Sequence, residues 1–454
     1  MNDRAALKMS FYGDDLTGST DAMEALALAG VPTVLFLDPT GLEQAQAMFP
    51  HAQAIGLAGM SRTMTPAEMD AQLVPVFAAL KKLGAPLTHY KVCSTFDSAP
   101  EIGSIGRAIE IGVQVFPAAM VPVIVGAPKL KRFVVFSNLF AALDEQTYRL
   151  DRHPVMRKHP ITPMHESDLR LHLARQTQMG IDAIDVRQLD AGLPTVRRAL
   201  QTLAEMGPKV VFFDALDHTH LRTIGQLLWE LGSQRQTFVA GSSGVEFGLT
   251  AYWQSQNLTQ PPARFRPAGR LEPIVVLSGS ASPWTASQIE WALAHGFMGV
   301  KIDSPRLLDH QTQSQERQRV VEAACDQLRA GRSVLIYSAL GPDDPQIRQA
   351  LAQAQSEGTP TAVGKQLGAQ QGEILSAVLA QSGLRRAAVA GGDTCGHVLR
   401  RLKIYVLEFI IPLGTAAPLC RARSYDPLYD GLEIALKGGQ LGNLDYFGRV
   451  VQGE

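Results

Sequence analysis

The chain alternates, and that alternation constrains the fold more than any single motif. MSFYG (9–13) has the length and apolar content of a strand, TDAMEALALAG (20–30) has helical spacing, and PTVLFL (32–37) is strand-like again. Strand, helix and strand in that order require a crossover, and crossovers join parallel strands. Thr20 is placed to cap the helix and Gly30 to stop it. QAIGLAG, LTHYKVC, VPVIVGAP, KVVFFDAL and TFVAGSSG continue the pattern. It then breaks at NLTQPPARFRPAGRLEP (257–273), whose prolines and arginines read as a linker. A second series starts with IVVLSGSAS (274–282) and runs through GFMGVKI, RSVLIYSAL, AAVAGGDT and VLEFIIPLG. The expected fold class is α/β with two domains, 1–256 and 274–454, each a mostly parallel sheet flanked by helices. The quieter stretch 140–175, with DRHPVMRKHPITPMHESDL inside it, reads as a long connection of the kind that forms lids, site loops or plain surface.

At 454 residues, two cores are expected rather than one. A formal net charge of -1 provides no overall basic field for nucleic acid or anionic lipid, so neither is an expected partner. Cys93, Cys325, Cys395 and Cys420 are scattered, with no CxxC and no Cys/His cluster, so neither a disulfide framework nor a zinc site is expected. A reduced, cytoplasmic setting fits. The first residues lack a charged start followed by an apolar run, and no apolar run approaches the roughly 18 residues of a membrane helix.

Candidate chemistry in the first domain gathers at strand ends. Asp14 and Asp15 follow the first strand, where open α/β sheets bind ligands. One of two adjacent carboxylates can take a proton from a hydroxyl, its basicity raised by its neighbour's charge. The alternative, a capped turn with one aspartate in water, stays open at this point. Ser61–Arg62 follows AIGLAGM, and an arginine there can grip a carboxylate through two parallel hydrogen bonds, or simply face solvent. YKVCSTFDS (90–98) places Lys91 in a strand and Ser94, Thr95 and Asp97 at its polar end, which suits a ligand rich in hydroxyls or an ordinary turn.

The second domain has three small-residue turns: LSGSAS (277–282) with Ser278, Gly279 and Ser280; AGGDTCG (390–396) with Gly391, Gly392, Asp393 and Thr394; and LKGGQLGNLDYF (436–447) with Lys437, Gly438 and Gly439. Gly414 ends a further strand-like run. Such turns let backbone N–H groups approach phosphate oxygens, and a following helix N-terminus adds favourable partial charge. None matches the P-loop or the dinucleotide glycine fingerprint. His218 and His220 lack a third metal ligand at a plausible spacing, and GSSGVEFG (241–248) is not a hydrolase nucleophile elbow.

Together GDDLTGSTD, SR at 61–62, YKVCST, AGSSG, SGSASPWTASQ, GGDTCG and LKGGQLGNLDYF resemble the four-carbon acid sugar kinase family along essentially the whole chain. The resemblance implies a sugar-acid-binding first domain and a nucleotide-binding second domain, with ligand sites facing an interdomain cleft that closes about the linker. It implies ATP-dependent phosphorylation of a sugar-acid hydroxyl, with Mg²⁺ carried on ATP. Asp14, Asp15, Arg62 and Lys91, with Ser94 and Thr95, would face the sugar acid, and Asp15 or Asp14 would take the proton. Ser280, Gly391–Thr394 and Gly438–Gly439 would face ATP. Many members read K-x-D-S-T-L-R-G after the third strand, whereas this chain reads KVCSTFDS, with Cys93 in place of the aspartate and no arginine or glycine following. That departure is similar to the 3-oxo-isoapionate kinase subgroup, whose branched sugar acid is phosphorylated to the 4-phosphate. 3-Oxo-tetronate and threonate kinases are the alternatives within the family. A non-catalytic sensor and a dehydrogenase are the alternatives outside it. A homo-oligomer is left open.

Overall fold

The computed structural model describes residues 5–454 apart from 144, 160, 208, 262–263 and 358–359. The chain divides into two compact units, Met1–Pro262 and Ala263–Glu454.

Eight strands of the first unit lie side by side in the order Thr33–Phe36, Ala54–Ala58, Met9–Gly13, Leu87–Lys91, Thr237–Gly241, Met120–Ile124, Lys209–Phe213 and Gly180–Ile184. Every pairing among them is parallel. Met9–Gly13 is buried along its whole length, as expected for a strand covered on both faces, which explains its unbroken apolar run. Helix Leu16–Leu28 does not start at Thr20. Asp15 is its N-cap and accepts the Gly18 N–H at 2.7 Å, so the helix begins a turn earlier, with Thr20 inside it bonded back to the Thr17 carbonyl. The helix stops just before Gly30, whose φ of +82° favours glycine. The stretch 140–175 holds more regular structure than a connection. Arg132–Val135, Asn138–Leu143 and Gln146–Arg149 form a three-stranded antiparallel sheet, and Leu169–Leu173 is a short helix.

The second unit orders its strands Met298–Lys301, Val334–Tyr337, Val275–Ser278, Arg386–Ala390, Glu433–Lys437, Pro418–Ser424 and Ile404–Pro412. The first five are parallel and the last two pair antiparallel. Three neighbouring strands, Val275–Ser278, Arg386–Ala390 and Glu433–Lys437, therefore deliver their C-terminal ends to one sheet edge. Part of the 257–273 stretch is tied to this unit. Phe265 and Ala268 pack on its core, and the buried Arg386 donates to the Gly269 carbonyl at 2.7 Å and to Glu433 Oε2 at 2.8 Å. Among the described residues no helix is long and apolar enough to cross a membrane.

Candidate functional site

The first unit brings Asp14, Asp15, Arg62 and Lys91 together at the ends of three adjacent strands. The Asp14 N–H donates to the Lys91 carbonyl at 2.9 Å, and the Arg62 N–H to the Asp14 carbonyl at 3.1 Å. Arg62 lies in the short 3₁₀ turn Ser61–Thr63, fixed from below by a 3.0 Å bond between Ser61 Oγ and the Tyr90 hydroxyl. Its guanidinium grips Asp14 with two bonds, Nε to Oδ2 at 3.0 Å and Nη2 to Oδ1 at 2.8 Å. Nη1 reaches Asp15 Oδ2 at 2.7 Å. The planar fork of arginine suits this task, and lysine could not reproduce it. One guanidinium thus reconciles two adjacent carboxylates.

The two aspartates are not equivalent. Asp14 is buried, whereas the Asp15 side chain is 29% exposed. Burial raises the Asp14 pKa from 3.8 to about 6, against the pull of Arg62 and with the Asp15 charge adding to the rise. Lys91 is also buried. Its Nζ donates to the Val92 carbonyl and pairs with Asp21 at 3.5 Å, and Asp21 in turn accepts from Ser243. Burial lowers the Lys91 pKa, but Asp21, Glu246, Asp14 and Asp15 outweigh it and hold the ammonium above its ordinary value. Gly18 keeps the middle of the cluster open. A Cβ there would lie 2.6 Å from Asp15 Oδ1, 3.3 Å from Lys91 Nζ and 3.9 Å from Arg62 Nη2. The arrangement offers two cations and an exposed carboxylate to one small space, which suits a ligand carrying both an anionic group and hydroxyls.

The segment after Lys91 closes a second network beside Arg62. Thr95 Oγ1 lies 2.9 Å from Cys93 Sγ and donates to Asp97 Oδ1 at 2.5 Å. Thr162 donates to Asp97 Oδ2 at 3.2 Å and lies 3.0 Å from His159 Nδ1. Burial pushes the Asp97 carboxyl up, but the Arg62 charge, the Thr95 hydroxyl and His159 prevail and hold it below the usual range. Phe96, between them, is fully buried at φ +55°, a left-handed conformation that a bulky residue adopts only when its surroundings enforce it. Ser94 is half-buried in the same turn. His159 and Thr162 belong to the 140–175 stretch, whose composition fits a lid, a site loop or plain surface and marks neither residue. Asp21, Ser243 and Gly18 also escaped notice; the TGSTD and GSSG polar clusters are the signals that held them.

In the second unit the turns 278–282, 391–394 and 437–439 meet. The Gly279 N–H donates to the Ala390 carbonyl at 3.0 Å and the Gly391 N–H to the Lys437 carbonyl at 2.9 Å. Ser282 caps helix Pro283–Ala294 and also donates to the Gly439 carbonyl, as does Thr285 at 2.6 Å. The close approaches need glycine. A Cβ on Gly279 would fall 2.1 Å from Thr394 Oγ1, and one on Gly439 would fall 2.7 Å from Ser280 Oγ. Helix Gly392–Arg401 starts from Gly391 with no side-chain cap, so its first N–H groups stay available. Gly392 and Asp393 are exposed at that end. Lys437 is buried with its Nζ donating to Thr285 Oγ1 at 3.0 Å, and burial lowers its pKa to about 8. In this arrangement it braces the turns from beneath. Gly414 packs against Gly442 of the glycine-rich segment, where a Cβ would come within 3.1 Å of the Gly442 Cα. Among the described residues no group of three His, Cys, Asp or Glu could hold a metal ion.

Two family models match the chain, a sugar-binding N-terminal domain over residues 9–249 and a nucleotide-binding C-terminal domain over 275–447. A 3-oxo-isoapionate kinase from Paraburkholderia graminis is 47% identical over 99% of this chain and 95% of its own. A 3-oxo-tetronate kinase from Pectobacterium atrosepticum is 28% identical over 98% of each chain. A solved structure from Salmonella typhimurium, 26% identical, superposes with a TM-score of 0.77 over 97% of this chain and 98% of its own. These matches bear out the α/β architecture and the resemblance read from the motifs: the chain belongs to the four-carbon acid sugar kinase family.

Proposed function

We propose that the protein is an ATP-dependent kinase that phosphorylates 3-oxo-isoapionate, a branched sugar acid, to its 4-phosphate. The observation that carries this reading is the 47% identity to a 3-oxo-isoapionate kinase over nearly the whole chain, against 28% to a 3-oxo-tetronate kinase. The Cys93–Thr95–Asp97 network supports it, because the departure from the usual family motif lies beside Arg62, where the sugar acid would bind.

Phosphoryl transfer asks chiefly for positioning and charge neutralisation. In this reading Arg62 and Lys91 hold the substrate carboxylate, and Asp15, the more exposed carboxylate, orients the attacking hydroxyl and takes its proton. Asp14 fixes the guanidinium. Asp97, held ionised by the Arg62 charge, the Thr95 hydroxyl and His159, accepts from a hydroxyl on the branch of the sugar. In the second unit the phosphates rest against Gly279–Ser280, Gly391–Thr394 and Gly438–Gly439, with the uncapped N–H groups at the start of helix Gly392–Arg401 as donors. Mg²⁺ ordinarily binds through phosphate oxygens and one or two carboxylates, so it needs no cluster of three protein ligands, and none is found among the described residues. Asp393, exposed beside the Gly391 turn, would hold it there. When bound, the ion supplies charge neutralisation for the transferred group.

The test is ADP release measured against four-carbon and branched five-carbon sugar acids, each with and without a 3-oxo group. Highest kcat/KM with 3-oxo-isoapionate supports the reading. Preference for a 3-oxo-tetronate or threonate transfers the protein to that branch of the family. Tight binding of a sugar acid with no ADP release from any of them would make it a sensor.

A further inference from the structure

The phosphate turns of the second unit contain a polar side chain that no motif announced. Gln371 sits on helix Pro360–Ser382, outside every glycine-rich segment, and is 1% exposed. Its amide lies against the turns. A Cβ on Gly279 would fall 2.7 Å from Gln371 Oε1 and 3.2 Å from Nε2. Thr394 Oγ1 donates to Gln371 Oε1 at 3.4 Å. Nε2 has no hydrogen-bond partner among the described residues. Ser278 Oγ, fully buried at the end of strand Val275–Ser278, is likewise unpartnered.

Buried amide N–H groups are almost always satisfied, so an orphan at a strand-end turn calls for an explanation. This one stands beside the uncapped N-terminus of helix Gly392–Arg401, where Gly391, at φ +123°, serves as N-cap without a side-chain acceptor. The N–H groups at the start of that helix and the amide therefore supply donors to one place, where among the described residues no side chain caps the helix and no acceptor pairs with Nε2. Ordered donors without acceptors describe half of an anion site. Glutamine suits such a place because it donates without adding charge and holds its geometry through the second amide atom, here engaged by Thr394.

We propose that Gln371 is a nucleotide ligand, its Nε2–H donating to a phosphate oxygen of ATP seated on Gly279–Ser280 and Gly391–Thr394. The assignment rests on the nucleotide-binding reading of this unit and adds a contact from a helix outside the three turns.

Calorimetry on the full chain with MgATP, MgADP and adenosine, using wild type, Gln371→Leu and Gln371→Glu, tests it. A hydrogen bond to a charged group predicts that Gln371→Leu weakens MgATP binding by about 10- to 100-fold, with Gln371→Glu at least as severe because it sets a carboxylate against phosphate. Adenosine binding in the second unit and sugar-acid binding in the first should stay within about twofold, since neither touches the amide. MgATP affinity unchanged in Gln371→Glu overturns the assignment while leaving the nucleotide site standing. Equal losses for MgATP and adenosine also overturn it, because they mark a scaffold role. Wild type that fails to bind MgATP overturns the nucleotide reading together with it.

Discussion

Replacing Asp14 with asparagine separates the two forces that act on the acid pair. Burial raises the Asp14 pKa and Arg62 lowers it, and the balance leaves it at about 6 against 3.8 unfolded. At about 1.4 kcal/mol for each tenfold change in proton affinity, that difference is on the order of 3 kcal/mol. Between those two values the folded protein holds a proton that the unfolded chain has released, so stability falls as pH rises. The favourable contribution is complete below about pH 3.8 and fully lost above about pH 6. Asparagine cannot ionise, and Arg62 keeps Asp15 as a partner in the variant. The wild-type stability minus that of Asp14→Asn should therefore drop by about 3 kcal/mol between about pH 4 and about pH 7, then level off. Urea unfolding of both proteins across that range, followed through amide exchange on the first unit's strands, measures it. A difference that is flat with pH refutes the reasoning. One that rises with pH shows that the guanidinium prevails over burial, and that the Asp14 carboxyl is held down rather than up.

Asp15→Asn should lower kcat by about 10²- to 10⁴-fold while leaving the ATP dissociation constant within about twofold, by stopped-flow turnover and calorimetry; near-normal turnover removes Asp15 from the proton-accepting role. Gly279→Ala drives a methyl to 2.1 Å from Thr394 Oγ1, so ATP affinity should fall at least about tenfold with sugar-acid binding intact; unchanged ATP affinity would separate this turn from the nucleotide. Asp97→Asn keeps the side-chain shape but removes the charge, and kcat/KM for the branched sugar acid should fall about 10-fold or more while that for an unbranched four-carbon acid changes less; equal losses would show that Asp97 supports the loop without reading the branch.

The parallel sheets were legible because their strands are short apolar runs fully buried on both faces, and the crossover between them has one topology. Three strands that the sequence did not reveal are of another kind. Asn138–Leu143 and Gln146–Arg149 are partly exposed, and Gly180–Ile184 is an edge strand with a charge in its middle, so their composition resembles that of loops. Thr20 and Asp15 are both good caps, and composition could not choose between them; the extended backbone of Asp15 decided it. Within the site, the aspartates, the arginine and the glycine turns could be found as residues but not as partners. Arg62 meets Asp14 across 48 positions and Thr162 meets Asp97 across 65, and no local periodicity encodes contacts at those separations. Gln371 carried no signal, since a glutamine in a polar helix is ordinary until the fold buries it.

Under the proposed function, the pairing of charges explains how a site built around carboxylates would receive an anion. Arg62 has five N–H donors, and three of them go to Asp14 and Asp15. Lys91 is matched by Asp21. With all three aspartates ionised, these five residues sum to one negative charge, so an anionic sugar acid gains nothing from long-range attraction to them. Its recognition has to come from short contacts. In the proposed binding mode the uncommitted guanidinium N–H groups and the Lys91 ammonium beside Gly18 provide those contacts, because a hydrogen bond at contact distance outweighs a weak opposing field at longer range. The aspartates hold the cations in fixed positions, and a donor that is already oriented loses less entropy when the ligand arrives. The same logic accounts for burying Asp14 instead of exposing it. A carboxylate in solvent would leave Arg62 free to swing, whereas a buried one, gripped by two bonds, sets the fork at one angle and leaves its outer edge for the proposed substrate carboxylate.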